Sequence, residues 1–297
     1  MTGPERGFLL LTSQLGNPQR KPLTVAQLRI LATRAGMMDA PTAERDLSAA
    51  DLIGLGYGEE MANHILRLLS EEELLHRYLR QAAKQNCVPL TRLTEGYPVI
   101  VRQRLGLDSP GSLWCKGDPR LLNTPKIALV GSRALKMENA KFAREVGRQA
   151  ARQGYTLVSG NAAGADMEAQ EACLEAGGNV IAVVSHGLQE QKCREQVLYL
   201  AEDGFDRPFS AQSALSRNRV IHSLGEKTLV AQATLEKGGT WDGTVRNLRF
   251  GWSPVFCFRD DSETSRRLAD QGAVLVGMEA LRDLANLKSE VISFFDQ

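Results

Sequence analysis

Three short polar turns in the second half of the chain carry residue types that could bind phosphate. They are Gly131-Ser132-Arg133, the stretch from Ser159 to Asp166, and Lys237-Gly238-Gly239-Thr240. Glycine lets the backbone approach a ligand closely, and an arginine guanidinium makes paired hydrogen bonds to phosphate oxygens. A fourth stretch, Arg217-Asn218-Arg219, begins an amphipathic segment and adds two guanidinium groups. These residue types together indicate a site for an anion.

The second turn leads directly into a predicted helix. Gly160 and Gly164 precede the helix start, and Ser159 opens the turn. Backbone N–H groups at the positive end of a helix form an anion site, and glycines leave these groups accessible. Asp166 lies just inside the helix, where its carboxylate could hold a ribose hydroxyl or cap the turn.

Each of these features also has a purely structural explanation. Short connections between strand and helix often need glycine, and Arg217 and Arg219 could lie on a solvated helix face. Trp241, beside the third turn, could stack on a base or simply pack against the protein. The meeting of three such turns and three arginines at one predicted sheet edge favours a phosphate-bearing ligand.

Signals for catalysis are missing from the sequence. It contains no GxSxG, HExxH or GxxxxGK[ST] motif, and its four histidines have no metal-ligand spacing. His186 follows a predicted strand and His222 follows the Arg-Asn-Arg stretch, but a lone histidine is more often a packed or surface residue than a catalyst, so neither is assigned a role. We therefore expect no catalytic residue, no metal and no cofactor, and predict that the chain is not an enzyme.

The elements that must position these turns belong to an α/β fold. Six apolar stretches have the length of buried strands, and helical segments at 138–153 and 165–176 separate the first three. This alternation predicts a doubly wound, mostly parallel Rossmann-like sheet over residues 125–297, with the ligand at the carboxyl ends of its strands. The predicted strands are 126–130, 155–159, 179–184, 227–231, 254–258 and 273–276.

The first part of the chain has helical spacing instead. Thr24 and Ser48 are N-cap candidates, and apolar stripes follow over 59–69 and 71–85. Residues 1–90 are therefore predicted to form a small helical domain. Residues 91–124 are rich in proline and are predicted to be a connector that carries an edge strand at 113–116.

The overall charge excludes a protein that is drawn to nucleic acid or membranes by positive charge over its whole surface. The chain has 36 lysines and arginines against 35 aspartates and glutamates, so an anion site must be local. Its apolar runs are strand-length, too short to span a membrane, and no membrane contact is predicted. Five cysteines without a CxxC pair suit a reducing compartment, and we expect a cytoplasmic protein.

An ordered series of motifs resembles the DprA/Smf family of DNA-processing proteins. It includes Tyr97-Pro98, Leu113-Trp-Cys-Lys-Gly-Asp118, Ile127-Ala-Leu-Val-Gly-Ser-Arg133, Val158-Ser-Gly-Asn-Ala-Ala-Gly-Ala-Asp166 and Arg217-Asn-Arg-Val-Ile221. The resemblance implies a sterile-alpha-like helical domain followed by a Rossmann-like domain. It also implies binding of single-stranded DNA in a basic pocket, a homodimer, and delivery of the strand to a RecA-like recombinase during DNA uptake.

The family's binding positions can be carried onto this chain. The third turn occupies the position of a Gly-Ser-type turn in the family. The matching candidates are Gly131, Ser132, Arg133, Ser159, Gly160, Gly164, Asp166, Arg217, Asn218, Arg219, Lys237, Gly238, Gly239 and Thr240.

The chain also departs from the family pattern. Gln170 stands where the family commonly has histidine, and no Tyr-Pro pair follows Gly187-Leu188. The chain is expected to lack the C-terminal winged helix of many members. These departures keep open an antitoxin or phage-defence protein that pairs with a toxin. The near-neutral overall charge keeps open a nucleotide-binding sensor or base-releasing hydrolase of the same superfamily.

Overall fold

The computed structural model describes residues 1–38, 46–202 and 204–287. The chain begins with helices, and both predicted caps are confirmed: Thr24 and Ser48 each form a capping box with the third residue of the following helix. The helix bounds in this part are α1 Gly3–Thr12, α2 Val25–Ala35, α3 Ala49–Gly54, α4 Glu59–Leu69 and α5 Glu72–Lys84.

A sheet follows, with helices between most of its strands. All six predicted strands are present, within two residues of their predicted ends. The bounds are β1 Cys87–Thr91, α6 Val99–Leu105, β2 Ser112–Lys116, β3 Lys126–Val130, α7 Met137–Arg152, β4 Thr156–Ser159, α8 Ala165–Glu175, β5 Val180–Val183, β6 Val197–Glu202, α9 Ala211–Leu224, β7 Lys227–Val230, α10 Gly238–Phe250, β8 Val255–Phe258, α11 Glu263–Asp270 and β9 Val274–Val276.

The strand order confirms the doubly wound α/β class. Over the described residues the sheet runs β1-β2-β6-β5-β4-β3-β7-β8-β9, and every pair from β6 to β9 is parallel. The chain builds outward from β3 through β4 and β5 to β6, and then returns to place β7 on the other side of β3. The order therefore reverses between β3 and β7, which is where ligands of such sheets bind.

Two features of the sheet were not predicted correctly. The strand predicted at 113–116 as an edge is an inner strand, because β2 pairs with β1 on one side and with β6 on the other. All five of its residues are buried as a result. Strands β1 and β6 were not predicted at all, and β1 forms the edge in place of β2.

The N-terminal helices share a core with the sheet. Leu9 and Leu10 of α1 and Tyr78 of α5 belong to the same buried cluster as Trp114 of β2. The Tyr78 and Trp114 rings meet edge to face with their centroids 5.3 Å apart. A smaller cluster around Ile65 joins α2, α3 and α4. The domain boundaries at 90 and 124 stay predictions, and residues 288–297 of the third segment lie outside the described residues.

Within the described part of the chain, none of the helices combines the length and apolar character that a membrane span requires.

Candidate functional site

A cavity of about 660 Å³ opens at the carboxyl edge of the sheet, where the strand order reverses. We call it the rim cavity. The loops after β3 and β7, the start of α8 and one face of α9 surround it. The predicted site residues on its lining are Gly131, Ser132, Arg133, Asp166, Arg217, Asn218, Lys237, Gly238, Gly239 and Thr240.

Hydrogen bonds tie the three strand ends of this cavity together. The N–H of Ser132 donates to the Gln232 carbonyl at 2.9 Å, and the N–H of Ala165 donates to the Ser132 carbonyl at 3.2 Å. The loops after β3, β4 and β7 are therefore bonded to one another through Ser132. A side chain on Gly131 would clash with Ala165, so glycine is required for this close approach.

The first turn of α10 forms one wall of the rim cavity. The Thr240 hydroxyl donates to the Gly131 carbonyl at 2.9 Å, and the Asn218 amide donates to the Gly239 carbonyl at 2.8 Å. Lys237 is the N-cap residue, and among the described residues no side chain caps this helix. The first N–H groups of a helix have no partner within the helix. This wall therefore has the properties of an anion site at a helix N-terminus.

The start of α8 forms another part of the lining and brings in an acid. Gly164 has a φ of +83°, and a side chain there would clash with the carbonyls of Ser132 and Arg133. Asp166 is buried, and its carboxylate accepts from the Ala162 N–H at 3.1 Å. Burial raises the pKa of Asp166 to about 6, although the nearby Arg217 favours the charged form.

Arg217 is built into the floor of the site. The residue is 8% exposed, and its guanidinium donates to the backbone carbonyls of Gly160 and Val183. These carbonyls belong to the ends of β4 and β5, so Arg217 holds two strand ends from α9. Burial lowers the pKa of Arg217, and Asp166 opposes that shift.

Arg133 and Lys237 are the exposed cations of the rim cavity. Neither has an ion-pair partner among the residues that the structure describes, so both side chains are available to a ligand. Phe209 and Leu215 also line this cavity and are 57% and 44% exposed. Sequence reasoning missed both, because Phe209 lies in a loop without a motif and Leu215 resembles a core residue.

Four predicted site residues do not line the rim cavity. Ser159 is fully buried and its hydroxyl accepts from the Gln170 amide at 2.5 Å. Gly160 and Gly164 act through the backbone behind the lining. Arg219 points away from the cavity and pairs with Glu202, with Nη2 and Oε2 2.6 Å apart. The prediction that three guanidinium groups meet at this sheet edge is therefore wrong, because Arg219 does not line the rim cavity.

The Arg217-Asn218-Arg219 stretch was also expected at a helix start, and that expectation is wrong. Helix α9 begins at Ala211, where Ser210 and Ser213 form a capping box. The stretch therefore lies in the middle of the helix, and successive side chains point in different directions. Asn218 and Arg217 reach the rim cavity, whereas Arg219 does not.

Trp241 and His222, which also stand near the predicted turns in the sequence, have structural roles. Trp241 is 8% exposed and packs in the core. His222 is fully buried beside Thr228 and Asn247, and burial lowers its pKa to about 3. Among the described residues, no group of three or more His, Cys, Asp or Glu side chains is placed to hold a metal ion.

Fold and site together define a Rossmann-like α/β protein with a cavity at its topological switch point, lined by glycine turns and exposed cations. The family model for DNA recombination-mediator protein A matches residues 89–286, two thirds of the chain. The chain belongs to this family, and the predicted DprA/Smf membership is confirmed.

Two relatives illustrate the extent of the match. Protein Smf of Escherichia coli is 31% identical over 185 residues, which cover 57% of this chain and 49% of the relative. DNA processing protein DprA of Streptococcus pneumoniae is 34% identical over 142 residues, covering 44% and 50%. The chain spans about half the length of the curated relatives it matches.

Solved structures agree with the fold. DNA processing protein A of Streptococcus pneumoniae superposes with a TM-score of 0.69 at 24% identity, covering 97% of this chain and 99% of the other. DNA processing protein A of Helicobacter pylori gives a TM-score of 0.55 at 24% identity, covering 66% and 93%. At this level of identity the likeness shows the shared fold.

Proposed function

We propose that this chain binds single-stranded DNA and that the rim cavity holds the phosphate backbone of the strand. The observation that carries the proposal is that one cavity combines two exposed cations with the first turn of α10. Arg133 and Lys237 have no ion-pair partner, and this turn has no side-chain cap, among the residues that the structure describes. Proteins contact the phosphates of nucleic acids with such cations and with the N–H groups at helix N-termini.

The lining suits a single strand better than a duplex. Phe209 and Leu215 offer exposed apolar surface beside the cations, and unpaired bases or sugars can pack on such surface. In a duplex the bases are stacked inside the helix and do not present their faces. Contacts to phosphates carry no base information, so the rim cavity alone gives binding that is independent of sequence.

The relatives support a role in DNA processing or recombination. The family is named for DNA recombination mediation, and the Helicobacter pylori structure is described by its single-stranded DNA binding mode. As further parts of this proposal, the chain acts without catalysis, forms a homodimer and hands its strand to a protein partner such as a RecA-like recombinase. A toxin partner in a phage-defence pair is the alternative partner class.

A small nucleotide is the second candidate ligand. The volume of about 660 Å³ is within the range of sites for small molecules, and the charges of the chain nearly cancel. A long DNA track usually needs more positive surface than one phosphate group does. A sensor or base-releasing hydrolase would use this same cavity.

A competition experiment tests the proposal. Fluorescence anisotropy measures binding of a labelled single strand at two salt concentrations, with unlabelled single strand, duplex and mononucleotides as competitors. We expect salt-sensitive binding that the unlabelled single strand displaces far better than the duplex or the mononucleotides. Displacement by one mononucleotide at equal concentration would favour the second candidate, and the appearance of free base would favour its hydrolase form.

A further inference from the structure

A smaller cavity of about 220 Å³ lies beside the rim cavity, at the ends of β5 and β6. We call it the side pocket. Nine of its eleven lining residues are polar or charged, and Arg217 lines both cavities. The lining includes the polar residues His186, Glu202, Gln212, Ser213 and Arg217.

Helix α9 separates the two cavities. Ala211, Ala214 and Asn218 line the rim cavity, whereas Ser213 and Ser216 line the side pocket. Residues three or four apart share a face of a helix, so the cavities lie on two faces of the same half of α9. Both border its first turn, which is about 5.4 Å long. A strand that passes the N-terminus of α9 can therefore contact both.

The side pocket differs from the rim cavity because it contains a paired carboxylate. Both oxygens of Glu202 accept from Arg219, at 3.2 and 2.6 Å, and the two side chains are 12% and 11% exposed. A carboxylate has about four acceptor positions, so this pair leaves acceptor capacity unused. The negative charge of the carboxylate repels a phosphate, and its unused lone pairs attract an N–H donor.

The remaining groups suit the edge of a planar base. Gln212 has an exposed side-chain amide that can both donate and accept. His186 bonds to the Gln191 amide at 2.8 Å, and the Ser213 hydroxyl donates to the Ser185 carbonyl at 2.9 Å, so both are held in place. Guanidinium planes such as that of Arg217 can stack on bases of single strands.

We infer that the side pocket receives one unstacked base of the DNA strand, and that Glu202 selects bases with an exocyclic amino group over thymine. This inference rests on the proposed function, since the phosphate of the same strand occupies the rim cavity. Cytosine and adenine present an amino donor to the carboxylate. Thymine carries the carbonyl oxygen O4 at the position where cytosine carries its amino group, so a base seated in the same way places an acceptor against the acid.

The test compares oligo(dC) and oligo(dT) of equal length by fluorescence anisotropy at one salt concentration. We expect oligo(dC) to bind more tightly, on the order of tenfold. Glu202→Gln keeps an acceptor for Arg219 and adds a donor for thymine, so it brings the ratio close to one. Glu168→Gln is the matched control, because Glu168 also pairs with an arginine but lies outside both cavities, and it leaves the ratio unchanged.

A second variant covers the case in which Glu202→Gln does not fold. Gln212→Ala, at an exposed position, lowers the ratio without changing the melting temperature. Equal affinity of the wild type for both homopolymers, or a ratio that neither variant changes, overturns the inference while leaving the proposed function in place. Failure of the wild type to bind either homopolymer overturns both.

Discussion

A β-carbon on Gly160 would lie 2.6 Å from the guanidinium carbon of Arg217, so close that the guanidinium would have to move. The guanidinium occupies this space because it donates to the carbonyl of Gly160 itself and to that of Val183. Glycine at this turn therefore makes room for a buried arginine, and the arginine in turn satisfies two carbonyls at the ends of β4 and β5.

Gly160→Ala should destabilise the protein for this reason. The new methyl group displaces the Arg217 guanidinium and leaves a buried charge without its hydrogen bonds. Overpacking and an uncompensated buried charge together cost on the order of 3 kcal/mol of unfolding free energy. Urea unfolding measures the loss. Gly54→Ala is the control, because nothing lies within 4 Å of its added carbon, and unchanged stability of Gly160→Ala would contradict the role given to Arg217.

Asp166→Asn should raise stability at neutral pH. Folding raises the pKa of Asp166 from 3.8 to about 6 through burial, so the folded protein retains a proton that the unfolded chain releases. The stability from this group is present below about pH 4 and is lost as the pH rises through about 6. Removing the charge recovers on the order of 3 kcal/mol at pH 7.

Urea unfolding at several pH values between 4 and 7 checks this expectation. Asp270→Asn, at an exposed acid of α11, should keep the pH profile of the wild type. A profile of Asp166→Asn that falls with pH as steeply as that of the wild type would show that Asp166 is not the titrating group.

The same acid should make DNA binding depend on pH. Asp166 lines the rim cavity, where its charged form repels a phosphate and its protonated form does not. Affinity for a single strand is therefore expected to rise severalfold as the pH falls from about 7.5 to about 5.5, around the raised pKa. Anisotropy titrations of the wild type and Asp166→Asn separate this effect from other titrating groups, because the variant should bind with little pH dependence. Equal pH dependence in both proteins would contradict the role of Asp166 in DNA binding.

Arg219→Ala should lower the free energy of unfolding and should not change the contacts to phosphate. The substitution leaves the nearly buried carboxylate of Glu202 without its partner, which costs about 2–4 kcal/mol. Arg219 does not line the rim cavity, so the salt dependence of oligo(dT) binding should stay that of the wild type. Thermal unfolding and a salt titration measure the two effects. A reduced salt slope with normal stability would mean that Arg219 contacts a phosphate after all.

The features of the fold that local interactions determine could be predicted from the sequence. Thr24 and Gln27, like Ser48 and Asp51, form their capping boxes within one turn of helix, so the residue types alone revealed them. Strand β6 is different. Only a single-turn 3-10 helix, Leu188–Glu190, lies between β5 and β6, and the place of β6 between β5 and β2 depends on pairing with residues far away in the chain. That pairing also turned the predicted edge strand into an inner one.

The site residues also divide into those that local sequence patterns predict and those that depend on contacts between distant parts of the chain. Arg133 and the turn from Lys237 to Thr240 were predicted at the sheet edge because they follow strands that the apolar pattern identified. The partner of Arg219 could not be predicted, since Glu202 ends a strand that the pattern did not reveal. Burial of Arg217 beneath the cavity depends on how α9 packs over the strand ends, which no spacing in the sequence reports.

The most direct test of the proposed phosphate contacts is the affinity of the double variant Arg133→Ala/Lys237→Ala for an unmodified single strand, measured by fluorescence anisotropy across a salt series. Both side chains are exposed, so folding and the melting temperature should match the wild type. Affinity is expected to fall by on the order of a hundredfold, and the slope against salt by about two. Arg120→Ala/Lys141→Ala, which removes two exposed cations that lie outside the rim cavity, is the control and should bind normally. A folded double variant at Arg133 and Lys237 with wild-type affinity and salt slope would contradict the rim cavity as the site of phosphate binding.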